Sequence, residues 1–350
     1  MKFRILGRVA AGFALATAVL AAPPAIAQQR QVNLESAFDQ ALGTQVRAPQ
    51  DFSARYNANS PLAQQIAQIA EGSQGRIGVA AIDLTTNEEV AVLGDQRFPM
   101  ASTSKIAIVA TFLEGVDQGR YSLSTQYPLM VPVPSKRFSG SAAPVRPGQH
   151  FSALQLIDMI NTRSNNQATD ALLAAVGGPS AVNNWARRAG IANYNLTRDI
   201  ATLVRDDGEY NPATYIDVRD SVTPRDMARL VAGIYQGRWL SASSRNVLVG
   251  AMERCRTGVR RIRGMMPEDV TVAHKTGTLN NTSSDIGIIT GPDGHAVAVA
   301  IYVTGQGTHA NRDARIATIA RAIYDGYGES ARQYANARYG ASAGTAVTAN

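Results

Sequence analysis

The chain of 350 residues has one cysteine, Cys255, and four histidines. A single cysteine excludes an intrachain disulfide, so the fold must rest on an apolar core, for which 45% hydrophobic composition is ample. His150, His274, His295 and His309 show neither H-x-H nor H-E-x-x-H spacing, which argues against a metal hydrolase, and no cofactor or metal is implied. Clustered positive charge is missing too. The 34 Lys and Arg against 27 Asp and Glu give a formal charge of +7, but they are dispersed, so nucleic acid is not an expected partner.

Long apolar runs are scarce after the start. Lys2, Arg4 and Arg8 precede an apolar stretch from Val9 to Ala22, and Ala25-Ile26-Ala27 offers a small-residue cleavage site. Residues 1–27 therefore read as a signal peptide, and the periplasm is the expected destination. Its removal takes the formal charge from +7 to +4. No later run reaches the roughly 18 apolar residues of a membrane span, so no membrane association is expected after cleavage.

What is present is an ordered alternation of patterns. Residues 28–59 form a polar leader. Ile77 to Leu84 and Glu89 to Leu93 are β-rich runs around Thr86-Asn87-Glu88, a hairpin signal. A helix is expected from Ser102, apolar almost all round through Leu113 and therefore buried. Residues 121–150, rich in Pro, Ser and Gly, read as a long irregular crossing. Helical patterns follow at Ala153–Thr162, Gln167–Val176 and Ala181–Ala189. Thr223-Pro224 is a helix start, with Thr at the cap and Pro in the first turn, and Ala242–Met252 is helical again. Strands return at Val270–Lys275, Ser284–Thr290 and Ala296–Val303, before a last helix over Arg312–Tyr324. Strands at both ends and helices between imply an α/β (α+β) fold. Residues 60–100 and 236–327 would build a sheet domain, 101–235 an inserted helical domain, and 328–350 a disordered tail. Gly305-Gln306-Gly307 resembles a dinucleotide loop, but no strand follows the next helix, so no βαβ unit can close.

Three short motifs stand in order: Ser102-Thr103-Ser104-Lys105, Ser164-Asn165-Asn166 and Lys275-Thr276-Gly277-Thr278. Residues three apart on a helix share a face, so Lys105 can reach the Ser102 hydroxyl, and burial would favour the neutral lysine as a base. The competing reading is a capping serine beside a solvated lysine. Ser164-Asn165-Asn166 falls in a loop between two helices, where it could instead be a simple cap for the helix starting at Gln167. Lys275 brings a cation to a strand end, and Gly277 would let a substrate backbone approach closely.

Together the three motifs resemble those of the active-site serine penicillin-recognising enzymes, with the class A β-lactamases nearest. Arg219-Asp220-Ser221-Val222-Thr223-Pro224 resembles that family's R-D-T-T-T-P segment, and Arg263-Gly264-Met265-Met266-Pro267 the approach to its K-T-G strand. The resemblance implies an antiparallel sheet domain flanked by helices, with an all-helical insertion. It implies acylation of Ser102, proton transfer by Lys105, Ser164 and Lys275, and an oxyanion hole from the N–H groups of Ser102 and Thr278. Asn166 would bind a substrate amide, while Lys275, Thr276, Gly277 and Thr278, with Arg261, would line the substrate carboxylate site. The substrate would be a β-lactam or a D-alanyl-D-alanine peptide, and the protein a monomer.

Some residues depart from that pattern. The family's R-x-E-x-x-x-N segment corresponds to Arg205-Asp206-Asp207-Gly208-Glu209-Tyr210-Asn211, with Asn211 retained. Asp207 stands where the deacylating Glu is expected, one methylene shorter, and Glu209 is an alternative carboxylate. Asn165 replaces Asp, and His274 replaces the common Asp before K-T-G. The sequence thus supports a periplasmic serine β-lactamase. The alternatives are a carboxypeptidase-like penicillin-binding protein with slow deacylation, or a binder of β-lactams or wall fragments that does not turn over.

Overall fold

The computed structural model describes residues 56–344 except 58, 72 and 73, with side chains to Gly328. The expected signal peptide and nearly all of the leader lie outside the described residues. The described residues belong to one compact unit.

Five strands form an antiparallel sheet in the order β2 (Glu89–Val92), β1 (Ile77–Asp83), β9 (Ala296–Thr304), β8 (Thr282–Thr290), β7 (Thr271–Leu279). The first of the described strands in this sheet therefore pairs with the last, Ala80 opposite Ala300, while β3 (Phe98–Pro99) and β6 (Ser221–Val222) pair separately. Side chains alternate across a strand, so two covered faces demand apolar residues at every position. Strand β9 meets that demand. Ala298, Ala300 and Tyr302 face one apolar cluster, while Val297, Val299, Ile301 and Val303 face another.

The second cluster is closed by α1 (Pro61–Ala70) and by α9 (His309–Gly344) through Ile316, Ile319 and Ile323. The first is larger and holds α2 (Lys105–Asp117), α3 (Ala153–Arg163), α4 (Asn166–Val176), α5 (Pro179–Arg188), α7 (Pro224–Tyr235) and α8 (Ala242–Glu253). Helix α2 is buried all round, as its sequence requires, and it joins the sheet to the helical layer. Thr223 caps α7 by accepting from Asp226 N, with Pro224 in the first turn.

Two expectations are corrected and one helix is added. Residues 121–150 are not irregular throughout: β4 (Gln126–Pro132) and β5 (Val145–Ser152) pair antiparallel. Their prolines sit in a two-stranded ribbon with an irregularity at Pro128/Met130, where a missing N–H is tolerated. A short helix, α6 (Ile200–Arg205), follows an Asp199 cap. The last helix begins at His309 and its backbone continues to Gly344, into the stretch expected to be disordered. Among the described residues no helix is long and apolar enough to cross a membrane.

Candidate active site

Between Met100 and Leu113 every residue is buried except Ser102. The cause is local. Ala101 adopts φ 49°, a left-handed conformation costly for a residue with a Cβ, and a 3-10 turn over Ala101–Ser104 follows before α2 begins at Lys105. Thr103 donates to Met100 O at 2.6 Å, Ser104 donates to Ala101 O at 2.8 Å, and Tyr194 OH donates to Ser104 O at 3.0 Å. These bonds fix the turn and leave the Ser102 side chain at the surface of a site. Neither the capping serine nor the solvated lysine of the competing reading is found, because Lys105 is fully buried.

Strand β7 is the sheet edge beside this turn, with no further strand paired to it among the described residues. The motif lies within the strand, which continues to Leu279 rather than ending at Lys275. Gly277 is required by the chain itself. A Cβ there would lie 2.5 Å from Ser284 Oγ, 2.9 Å from Met100 O and 3.0 Å from Ala101 Cβ. The close approach is thus between the strand and the serine-bearing turn, an addition to the substrate contact expected of Gly277.

Ser164 terminates α3 in the left-handed conformation, φ 56°, and Asn165 caps α4 by accepting from Ala168 N at 2.8 Å. The cap is therefore Asn165, and Ser164 is free to face the cleft. Lys105 Nζ lies 2.7 Å from Ser164 O, 3.2 Å from Ser164 Oγ and 2.6 Å from Asn166 Oδ1. Lys275 Nζ lies 2.9 Å from Ser164 Oγ and donates to Thr276 O at 2.9 Å. The expected Lys105–Ser102 contact is replaced by this pairing with Ser164 and Asn166.

Burial drives both lysines toward the neutral form. Lys105 is held well below the ordinary range by burial and by Lys275, against the pull of Asp170. Lys275 is brought down to about 8 by burial, with Cys255 and Asp285 opposing and Arg261 reinforcing the shift. Asp170 was not foreseen, although it stands four residues beyond Asn166 on the same helix face. It accepts from Ile200 N at 2.7 Å and Ala201 N at 2.9 Å, and burial pushes it up to about 6 despite those bonds.

Arg261 is buried beneath the strand. It pairs with Asp313 at 2.7 Å and donates to Gly277 O at 2.8 Å, Ser284 O at 2.9 Å and Thr278 Oγ1 at 2.7 Å. It thereby orients Thr278, while the Thr276 hydroxyl shares a hydrogen bond with Thr257 Oγ1 at 2.6 Å.

The segment Arg205–Asn211 is arranged differently from expectation. Both Asp207 oxygens accept from Asn280 N at 2.9 Å, and Asn211 Oδ1 accepts from Asn281 Nδ2 at 2.8 Å, so both residues are tied to the β7–β8 turn. Glu209 pairs with Arg219 at 2.7 Å. Arg205 binds Asp206 through two bonds of 2.8 Å, and Arg198 Nε closes the loop on Asp220 at 2.6 Å.

A sequence profile described as the β-lactamase enzyme family matches residues 61–327. The chain is 31% identical over 281 residues to β-lactamase CTX-M-4 of Salmonella typhimurium, spanning 77% of this chain and 90% of that protein. It is 29% identical over 282 residues to the extended-spectrum β-lactamase PER-1 of Pseudomonas aeruginosa, spanning 77% and 88%. Among solved structures, an ancestral class A β-lactamase superposes with TM-score 0.64 at 33% identity, over 75% of this chain and 99% of that one. A β-lactamase from Chitinophaga pinensis gives TM-score 0.67 at 27% identity, over 76% and 99%.

Proposed function

The chain belongs to the class A serine β-lactamase family and is a β-lactam hydrolase, and on that premise we propose that it works through an acyl-enzyme on Ser102. One observation carries the proposal: Lys105 and Lys275, from opposite sides of the cleft, both bond the Ser164 hydroxyl beside the single accessible residue of a buried turn.

In this reading Ser102 Oγ attacks the lactam carbonyl carbon and its proton passes to neutral Lys105. The hydrogen bond that this transfer needs forms when substrate is bound. Once protonated, Lys105 donates to Ser164 O, Asn166 Oδ1 and Ser164 Oγ, and the proton on the last of these bonds replaces the one that Ser164 gives up. Ser164 then delivers a proton to the departing lactam nitrogen, and Lys275 stabilises the hydroxyl through the transfer. The N–H groups of Ser102 and Thr278 take the developing oxyanion, a contribution of about 3 kcal/mol per donor. Lys275, Thr276 and Thr278 hold the substrate carboxylate, Arg261 orients Thr278, and Asn166 meets the substrate side-chain amide. Asp207 activates the water that releases the product. The signal peptide expected over residues 1–27 supports action in the periplasm.

Ser102→Ala is expected to lose covalent labelling by benzylpenicillin together with hydrolysis. Labelling that persists in this variant contradicts the proposal. A second reading, stable acylation with slow release, is favoured by one feature: both Asp207 oxygens accept from Asn280 N, which ties the carboxylate to the β7–β8 turn.

A further inference from the structure

At His274, the residue before Lys275 in the strand, begins a group of ionisable side chains that the reaction above does not use. His274 is fully buried, as is Asp285 on β8, which stands two residues before Gly287, the register partner of His274. His274 Nδ1 lies 3.0 and 2.9 Å from the two carboxylate oxygens. Its Nε2 is equally buried and has no hydrogen-bond partner among the described residues. The other ionisable group that interacts with this ring is the Cys255 thiol, itself buried in the loop after α8. Cys255 Sγ lies 3.3 Å from Thr257 Oγ1, whose other contact is Thr276 Oγ1 at 2.6 Å. The cluster therefore meets the substrate-binding strand at His274 itself and, through Thr257, at Thr276.

A buried histidine with a carboxylate on one nitrogen and no acceptor on the other is an arrangement for an imidazolium seeking a second anion. We propose that Cys255, His274 and Asp285 form a buried charge-setting triad that acts through Lys275. His274 is the imidazolium, Asp285 and the Cys255 thiolate are its two counter-ions, and their net negative charge keeps Lys275 protonated while it binds substrate.

The charges around the group agree with this. Burial opposes ionisation of His274 and Cys255, yet Asp285 brings His274 up to about 9, and His274 with Thr257 brings Cys255 down to about 7. Facing Lys275 are Cys255 and Asp285, which favour its charge, and Arg261 and Lys105, which oppose it. Arg261 is already paired with Asp313, and Lys105 is opposed by Asp170, so the triad is the uncommitted source of negative charge on this side. Cys255, His274 and Asp285 are thus positioning residues, none of which need touch the substrate.

The inference rests on the role given to Lys275 above, but its first test does not. Because the chain has one cysteine, ultraviolet thiolate absorbance reports on Cys255 alone. In the native protein it should titrate near pH 7, and in His274→Asn at or above the ordinary thiol value of about 8.5. The second test is the pH profile of kcat/KM. Cys255→Ser removes the anion, so the alkaline limb should move to lower pH, and Cys255→Asp should move it back. A packing role for Cys255 would not shift the limb. The triad is overturned if the native thiol titrates at about 8.5 or above, or if the Cys255→Ser profile superimposes on that of the native enzyme. Failure of the Ser102 reading would instead leave the thiol titration intact and remove the labelling.

Discussion

Lys275 on the edge strand of the sheet bonds the hydroxyl of Ser164 at the end of a helix, 2.9 Å away, and so ties the two walls of the cleft together. The bond joins residues 111 apart in sequence, and it brings an ammonium held near neutrality to the place where a leaving group must be protonated.

The charge on Lys275 gives a pH dependence. Its value near 8 means that the substrate carboxylate meets a cation below that pH and a neutral amine above it. KM for a carboxylate-bearing β-lactam should therefore rise above pH 8, approaching about tenfold per pH unit, with kcat changing less. Steady-state kinetics from pH 6 to 10 check this, and a flat KM across that range contradicts it.

Asp207 is expected to govern release of the acyl-enzyme. Asp207→Asn should slow deacylation by about 10²–10⁴, the usual worth of a general base, while leaving the rate of acylation in place. Asp207→Glu adds the missing methylene and should accelerate release. Stopped acyl-enzyme decay, followed by mass, measures both; a slower Glu variant would show that the base is elsewhere.

The Arg261–Asp313 pair is expected to matter for stability. Both side chains are buried, and Asp313→Ala would leave the guanidinium without its counter-ion. Breaking such a pair from one side costs about 3–5 kcal/mol, to be read by denaturant unfolding. A loss below about 1 kcal/mol would show that the carbonyls of Gly277 and Ser284 suffice to hold Arg261.

Much of this arrangement is legible in the sequence because it is local. Helix starts carry their caps, as at Ser152, Asn165 and Thr223, and α2 announces its burial by being apolar on every side. The three motifs name the residues that meet at Ser164. What is not legible depends on contacts distant in the chain. The β4–β5 ribbon is concealed by prolines that a central strand would not tolerate. Strand β7 runs through Gly277 because the strand must pass close to Met100 and Ala101, and nothing near Gly277 in sequence says so. Asp285 and Cys255 gain their meaning from His274, which lies 11 residues from the first, across a strand pair. Asp207 matches its family position in spacing, yet its bonds to Asn280 arise from the turn opposite.

The most direct test of acyl-enzyme turnover on Ser102 is intact mass spectrometry of the mature protein mixed with benzylpenicillin and followed from seconds to hours. The account predicts an adduct that forms on Ser102 and clears while penicilloate accumulates. An adduct that persists, or penicilloate formed with no adduct and no dependence on Ser102, would contradict it.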